Sequence, residues 1–250
     1  MTISNPAGPD PAALPPEELA ARLATPGAAR AALVHAAAQA GEAEAQLVYG
    51  QMLLDGTETP GDPRAALDWF TRAAAQHHPM ALNMVGRCYE LGWGCAVDAG
   101  RAVACYRIAA GQGLAEAMYN YATQLALGHG VATDRAEALR WLQRGGDLGY
   151  AKAVNFIGSF AEDGWAGPRD MAKAARCYAR AAEGGDFRAA FNHARMLGAG
   201  GQVEGALEWL ARAVAGGTPA FAARVIHWCA ASDIPAFRRY AATLREGRAC

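Results

Sequence analysis

The chain has 250 residues, of which 52% are hydrophobic and 19% are charged, and its formal net charge is -1. That balance argues against a nucleic-acid backbone or an anionic membrane surface as the main partner, because both select concentrated Lys and Arg. The sequence has no stretch of roughly 18 consecutive apolar residues and no apolar signal-peptide core near its start, so we expect a cytoplasmic protein that binds no membrane.

The predicted elements follow in chain order from a repeat that recurs at a fixed interval along the sequence. Residues 1–15 are rich in proline and are predicted to be disordered, and residues 16–41 are predicted to form an N-terminal helical cap. Five repeats follow at 42–77, 78–113, 114–149, 150–185 and 186–217. The fifth repeat is shortened between Gly200 and Ala206. Residues 218–250 are predicted to form a degenerate C-terminal helical cap, because terminal repeats expose their outer faces to water.

Each repeat is predicted to be a pair of helices. Apolar and small residues recur at helical spacing from Ala81 to Leu91 and stop at Gly92, and a second helical pattern begins at Asp98. The fold class is therefore predicted to be all-α, a solenoid of about five helix-turn-helix repeats with helical caps. The aspartates before the second helices are predicted to be N-caps, and they are Asp62, Asp98, Asp134 and Asp170. The glycines after the second helices are predicted to be left-handed caps, and they are Gly113, Gly149, Gly185 and Gly217.

The repeat pattern resembles the Sel1-like repeat family. Residues 81–94 and 117–130 carry its form most closely, with an alanine, an apolar residue followed by a small residue, and two glycines around the turn. The resemblance covers about residues 29–217 and implies a right-handed α/α superhelix related to tetratricopeptide arrays. It also implies a non-enzymatic scaffold for protein complexes, with the first helices lining a concave groove.

One face of the first helices stays polar along the array, with asparagines one turn before it. An asparagine amide offers a donor and an acceptor that can pair with the backbone of an extended peptide, and aromatic neighbours can add buried area. In the alternative interpretation the asparagines bond to neighbouring helices, and the two roles can coexist. The candidate partner-binding residues are Asn83, Arg87, Tyr119, Asn120, Thr123, Asn155, Phe156, Ser159, Asn192 and Arg195.

A second row of residues lies in the loop between the two helices of a repeat, at Trp93, His129 and Trp165. These side chains either fold back over a neighbouring repeat or form an exposed aromatic edge for a partner. A further set of tryptophans recurs on the second helices and is predicted to be core. Its members are Trp69, Trp141 and Trp209.

No catalytic motif is present. Ser4, Ser159 and Ser232 lack a lysine at the third position after them, and His77-His78 would need further ligands to hold a metal. We therefore expect a non-enzymatic adaptor for a protein or peptide partner, with no cofactor, no metal and no nucleic acid. One alternative is a cell-wall or β-lactam hydrolase, as in cysteine-rich relatives of this type. The other is a regulatory subunit that oligomerises through residues 221–228; the sequence leaves the oligomeric state open.

Overall fold

The computed structural model describes residues 15–246, and within that range every regular element is an α-helix. The all-α prediction is therefore confirmed. The predicted disorder at the start of the chain falls, except for Pro15, outside the described residues. The helices are α1 Pro16–Ala24, α2 Ala28–Gln39, α3 Ala43–Asp55, α4 Pro63–Ala75, α5 Pro79–Leu91, α6 Ala99–Gly111, α7 Ala115–Leu127, α8 Arg135–Asp147, α9 Ala151–Asp163, α10 Met171–Glu183, α11 Phe187–Ala199, α12 Val203–Gly216, α13 Pro219–Ala230 and α14 Pro235–Glu246.

The chain divides into two compact units, Met1–Asp134 and Arg135–Cys250. In the first unit α3 packs on α4 and α5 packs on α6, so helices that are neighbours in sequence are neighbours in space. In the second unit α9 packs on α10 and α11 on α12, and α13 and α14 form a further helix pair. Each unit is thus built from antiparallel helix pairs that stack in sequence order, which is the packing that defines a repeat array.

Three of the predicted N-caps are confirmed, at Asp62, Asp98 and Asp170. The carboxylate of Asp62 accepts the backbone N–H groups of Arg64 and Ala65, both at 3.0 Å. The carboxylates of Asp98 and Asp170 each accept one first-turn N–H, at 2.9 and 2.8 Å. These bonds satisfy backbone donors that have no partner within the helix.

Three of the four predicted left-handed caps are confirmed, since Gly113, Gly149 and Gly185 have φ of 94°, 85° and 87°. The fourth prediction is wrong. Gly217 has φ -89° and is extended, because the chain passes from α12 directly into Thr218, the N-cap of α13.

In the pairs α5/α6 and α9/α10, a large side chain of the second helix packs on a small residue of the first. A Cβ atom on Gly86 would lie 2.7 Å from the ring of Tyr106, and one on Gly158 would lie 2.6 Å from the ring of Tyr178. The small residues are therefore required by the aromatic rings that cover them. The large residues at this position are exposed by 1% or less, and they are Phe70, Tyr106, Leu142, Tyr178 and Leu210.

The three tryptophans of the second helices are only partly buried, and the fully buried position is the next residue along the helix. Trp69 and Trp209 pack against the core as predicted, and their rings contact Tyr49 and His193 of the first helices at 5.5 and 5.4 Å. An arginine one turn further on stacks over each indole at 4.4 Å. The pairs are Trp69 with Arg72, Trp141 with Arg144 and Trp209 with Arg212.

Loops of the first unit pack against the start of the preceding second helix. A Cβ atom on Gly94 would lie 2.2 Å from the carbonyl oxygen of Pro63, and one on Gly130 would lie 2.4 Å from the backbone of Ala99. In the first repeat Glu58 takes the place of this glycine. Its carboxylate accepts the N–H of Gly27, the N-cap of α2, at 2.9 Å. In two repeats the loop glycine thus lies directly against the backbone of the preceding second helix. In the first repeat a carboxylate at the same position caps α2 instead.

Candidate partner-binding face

The predicted asparagines of the first unit bond to each other. Asn120 Nδ2 on α7 donates to Asn83 Oδ1 on α5 at 2.8 Å, so the bond joins the first helices of consecutive repeats. Asn83 is only 3% exposed, which leaves it as a support for Asn120 and removes it from the surface that a partner would touch. Asn120 is half-buried and keeps part of its amide at the surface.

The other predicted residues of the first unit surround this pair. Arg87 stacks over the ring of Trp93 at 4.8 Å, so these two residues form one surface patch. Thr123 Oγ1 donates to the carbonyl of Tyr119 at 2.8 Å, and both residues are half-buried on α7. The hydroxyl hydrogen of Thr123 is therefore used within its own helix, while its oxygen can still accept.

The second unit repeats the asparagine pair and adds a charged network. Asn192 Nδ2 on α11 donates to Asn155 Oδ1 on α9 at 3.0 Å. Arg195 donates to Asn192 Oδ1 at 3.2 Å and forms an ion pair with Glu162 of the preceding repeat at 3.0 Å. Asn192 is thus held from both sides, by the asparagine before it and the arginine after it.

Glu162 is the centre of that network. Tyr178 Oη donates to its carboxylate at 2.6 Å and also lies 3.3 Å from Ser159 Oγ. Burial alone would raise the pKa of Glu162, but the hydrogen bonds from Arg195 and Tyr178 and the charge of Arg195 outweigh burial and lower it. The pKa of Tyr178 is raised by burial and by its bond to Glu162. The carboxylate is therefore ionised and the phenol neutral at neutral pH.

An equivalent carboxylate stands in the first unit. Glu90 accepts from Tyr106 Oη at 2.5 Å and from Gln124 Nε2 at 2.8 Å, so an amide takes the role that an arginine has in the second unit. The sequence interpretation missed both carboxylates and their tyrosine donors. The signal that could have found them is a recurrence two repeats apart, because Glu90 and Glu162 share one repeat position and Tyr106 and Tyr178 share another.

The loop residues of the predicted aromatic edge differ from one another. Trp165 contacts Phe156 and Phe160 of its own repeat at ring distances of 6.0 and 5.3 Å, and Arg135 lies 4.7 Å over its ring. Trp93 is likewise half-buried beside the first helix of its own repeat, whereas His129 is exposed. The two tryptophans extend the first-helix face.

The first helices of the second unit form a groove. Its volume is about 520 Å³, and α9, α11 and α13 line it. Three predicted residues, Asn155, Ser159 and Asn192, form its polar side. The remaining lining residues are Arg188, Phe191, Phe221, Arg224, Val225 and Trp228.

The Sel1 repeat model matches four consecutive segments, residues 43–78, 79–114, 115–150 and 151–186. The chain belongs to the Sel1 repeat family. The predicted solenoid class of stacked helix pairs is thereby confirmed.

Relatives of this Sel1 repeat chain include proteins of known structure. A Sel1 repeat protein from Oxalobacter formigenes is 26% identical with a TM-score of 0.70, over 83% of this chain and 89% of that one. A Sel1 repeat protein from Klebsiella pneumoniae is 21% identical with a TM-score of 0.55, over 78% of this chain and 96% of that one. The second likeness concerns the fold alone.

A curated relative is the chitin synthase regulator SKT5 of the fungus Malassezia restricta. It is 33% identical over 131 residues, which are 51% of this chain. The match spans only 9% of the length of that regulator. The similarity therefore concerns a short segment of a much longer protein.

The histidine pair that was considered as a possible metal site includes one residue with structural contacts. His78 is the N-cap of α5, where its Nδ1 accepts the N–H of Ala81, and its Nε2 lies 2.9 Å from Glu44. Across residues 15–246 no group of three or more His, Cys, Asp or Glu side chains is arranged to hold a metal ion. In the same part of the chain, every helix is too short or too polar to span a bilayer.

Proposed function

We propose that this chain is a non-enzymatic cytoplasmic scaffold that binds an extended segment of a partner protein on the face of its first helices. Sel1 repeat proteins generally mediate protein–protein interaction. The observation that carries the proposal here is the pairing of Asn83 with Asn120 and of Asn155 with Asn192 across consecutive first helices.

The pairing fixes each asparagine without using its whole amide. Asn192 donates one hydrogen to Asn155, and its second N–H remains for another acceptor. Because the side chain is already ordered, a partner that bonds to it loses less conformational entropy on binding. The structural and the partner-binding roles of the asparagines therefore support each other in this proposal.

The alternatives have less support. Ser159 faces Tyr178 Oη at 3.3 Å, and no lysine stands at the third position after it, so the chemistry of a serine hydrolase is not assembled there. Several residues of the segment expected to mediate oligomerisation are buried within the second unit. Phe221, Val225 and Ile226 are 7% exposed or less. The likeness to a chitin synthase regulator fits a role in binding and regulation.

The proposal is tested by selecting peptides from a random displayed library on the intact chain. The selected peptides are then measured against Asn155→Ala combined with Asn192→Ala, which removes both members of one bonded pair and leaves neither without its partner. We expect at least a tenfold loss of affinity in the double variant, since each lost hydrogen bond is worth about 1 kcal/mol. The melting temperature and helicity should change little.

Two exposed arginines of the second helices provide the control. Arg107→Ala combined with Arg176→Ala should leave peptide affinity unchanged, because these residues lie on α6 and α10 outside the proposed face. Equal loss in both double variants, or a failure to select any peptide that competes for the first-helix face, would contradict the proposal.

A further inference from the structure

Two arginines line the groove in the second unit. Arg188 on α11 and Arg224 on α13 are both exposed, and within residues 15–246 neither forms an ion pair. Arg195, on the same face of α11, differs because Glu162 neutralises it at 3.0 Å. The groove therefore carries uncompensated positive charge in a chain whose formal net charge is -1.

Each of the two guanidinium groups stacks on an aromatic ring. Arg188 lies 4.6 Å over the ring of Phe187, and Arg224 lies 5.4 Å over the ring of Phe221. The rings of Phe187 and Phe221 are in edge contact, with centroids 4.7 Å apart. Stacking leaves the N–H edges of a guanidinium available for a bidentate contact with a carboxylate.

Arg224 lies at a position in its helix that an asparagine occupies in the preceding first helix. When the first residues of α11 and α13 are aligned, Phe187 with Pro219, Arg224 falls on the position of Asn192. The asparagine row of the first helices therefore ends in an arginine. A segment that bonds to Asn192 through its backbone reaches a cation at the next repeat.

The middle of the groove is apolar. Phe191 and Trp228 are in edge contact at 5.1 Å, and both are half-buried, while Val225 beside them is 1% exposed. This surface suits an aliphatic or aromatic side chain. The groove of α9, α11 and α13 thus combines asparagine amides, an apolar surface and two cations.

We propose that the groove of α9, α11 and α13 selects acidic peptide segments, in which carboxylates pair with Arg188 and Arg224 and an apolar side chain packs on Phe191 and Trp228. The proposal rests on the proposed function and adds the partner chemistry. Neither guanidinium forms an ion pair within residues 15–246, so the carboxylates of an acidic ligand are attracted to both charges. A peptide is favoured over a nucleic acid because only two cations are unpaired here and the groove centre is apolar.

The test uses a fluorescent peptide in which glutamates alternate with leucine and phenylalanine, measured by anisotropy on the full chain. Matched peptides carry glutamine or lysine in place of every glutamate. We expect the glutamate peptide to bind about tenfold tighter than the glutamine peptide, because two exposed ion pairs contribute that much together, and the lysine peptide to bind more weakly still. Added salt should reduce the difference.

Arg188→Gln combined with Arg224→Gln should abolish the preference for glutamate and leave the glutamine peptide bound as before. Replacement of both by lysine should restore most of the preference. The control, Arg176→Gln with Arg212→Gln, removes the same charge from α10 and α12 and should preserve it. The melting temperature of the Arg188/Arg224 double variant should stay close to that of the wild type, because both side chains are exposed.

The outcomes separate the two proposals. Equal affinity for the glutamate and lysine peptides at the first-helix face would overturn acidic selection while leaving the scaffold function intact. Failure of every peptide to bind that face would remove both. Tighter binding of single-stranded oligothymidylate than of the glutamate peptide, lost in the Arg188/Arg224 variant, would overturn the peptide assignment in favour of nucleic acid.

Discussion

Glu162 joins side chains from two consecutive repeats. It receives the phenol of Tyr178 from the second helix of its own repeat and the guanidinium of Arg195 from the next first helix. Its side chain is 20% exposed, so solvent screens the ion pair in part. The stabilisation comes mainly from hydrogen bonds to an ionised acceptor, which are stronger than bonds between neutral groups.

We predict that Glu162→Gln destabilises the second unit by about 1–2 kcal/mol at neutral pH, because the bonds from Tyr178 and Arg195 lose their ionised acceptor. The pKa of Glu162 is lower in the folded than in the unfolded state, so the unfolded state binds more protons as the pH falls. The stabilisation is therefore complete above the unfolded pKa of about 4.3 and is lost as the pH falls through the folded pKa.

Urea unfolding of the wild type and the variant, followed from neutral pH to about pH 3, checks this expectation. The difference in unfolding free energy should shrink on acidification. Glu208→Gln, at an exposed site on α12, is the control and should change stability little at any pH. A difference between wild type and Glu162→Gln that stays constant with pH would show that its ionisation is not the source.

At the residue scale, the sequence predicted on which helix a side chain lies better than it predicted which group that side chain bonds to. Spacing placed Asn120 and Asn192 correctly on the first helices, because helical periodicity is local. It left open whether their amides bond to protein or ligand, since that depends on the distance between helices of different repeats. The pairing of Arg195 with Glu162 was missed for the same reason.

At the scale of the element, loops are part of the contact between repeats. Gly130 has φ 70° and lies against the backbone of Ala99, so two separate constraints exclude a side chain there. Gly113 has φ 94°, but no atom lies within 4 Å of the position of its missing Cβ atom. A comparison of the two glycines therefore separates the cost of backbone strain, which both positions have, from the cost of a steric clash, which only Gly130 has.

We predict that Gly113→Ala costs about 1 kcal/mol, from backbone strain alone. Gly130→Ala should cost roughly 1–3 kcal/mol more, because the loop must move away from the start of α6. Equilibrium urea unfolding of the two variants measures the difference. Equal losses would mean that the loop moves aside freely and that its contact with α6 contributes nothing to stability.

Helix positions were predictable at this scale, and the choice of core residue was not. Gly92 ends α5 as the pattern indicates, and the cap aspartates begin the second helices. The tryptophans were predicted as core because large apolar rings are usually buried. One residue is about 100° around a helix, so Phe70 is fully buried, whereas Trp69 contacts Tyr49 of the first helix and stays partly exposed.

At the scale of the whole molecule, the last two helices complete the core of the second unit. Phe237 of α14 is fully buried and lies over Gly198, where a Cβ atom would be 2.7 Å from its ring. Phe221 of α13 covers Phe187. These contacts support the proposal that α13 and α14 act as a cap for the second unit.

We predict that a chain ending after Gly217 loses stability in its second unit and leaves the first unit folded, since repeats depend mainly on their neighbours. Hydrogen exchange should show lost protection in residues 135–217 and retained protection in residues 43–127. Phe237→Ala in the full chain should reproduce part of the loss, by about 3–5 kcal/mol for a buried phenylalanine. Unchanged protection after truncation would show that α13 and α14 are dispensable.

The asparagine pairs have a consequence for how such an array can change its length. Asn83 and Asn155 hold the same position two repeats apart, as do Asn120 and Asn192, so the bonded pair returns only every second repeat. Insertion of a single repeat between the two members of a pair would leave one asparagine without its partner, whereas insertion of two repeats there would let every asparagine keep a donor or an acceptor. To lengthen this protein by design, the unit to duplicate is therefore a pair of consecutive repeats. The repeat with the acceptor asparagine comes first and the repeat with the donor asparagine second.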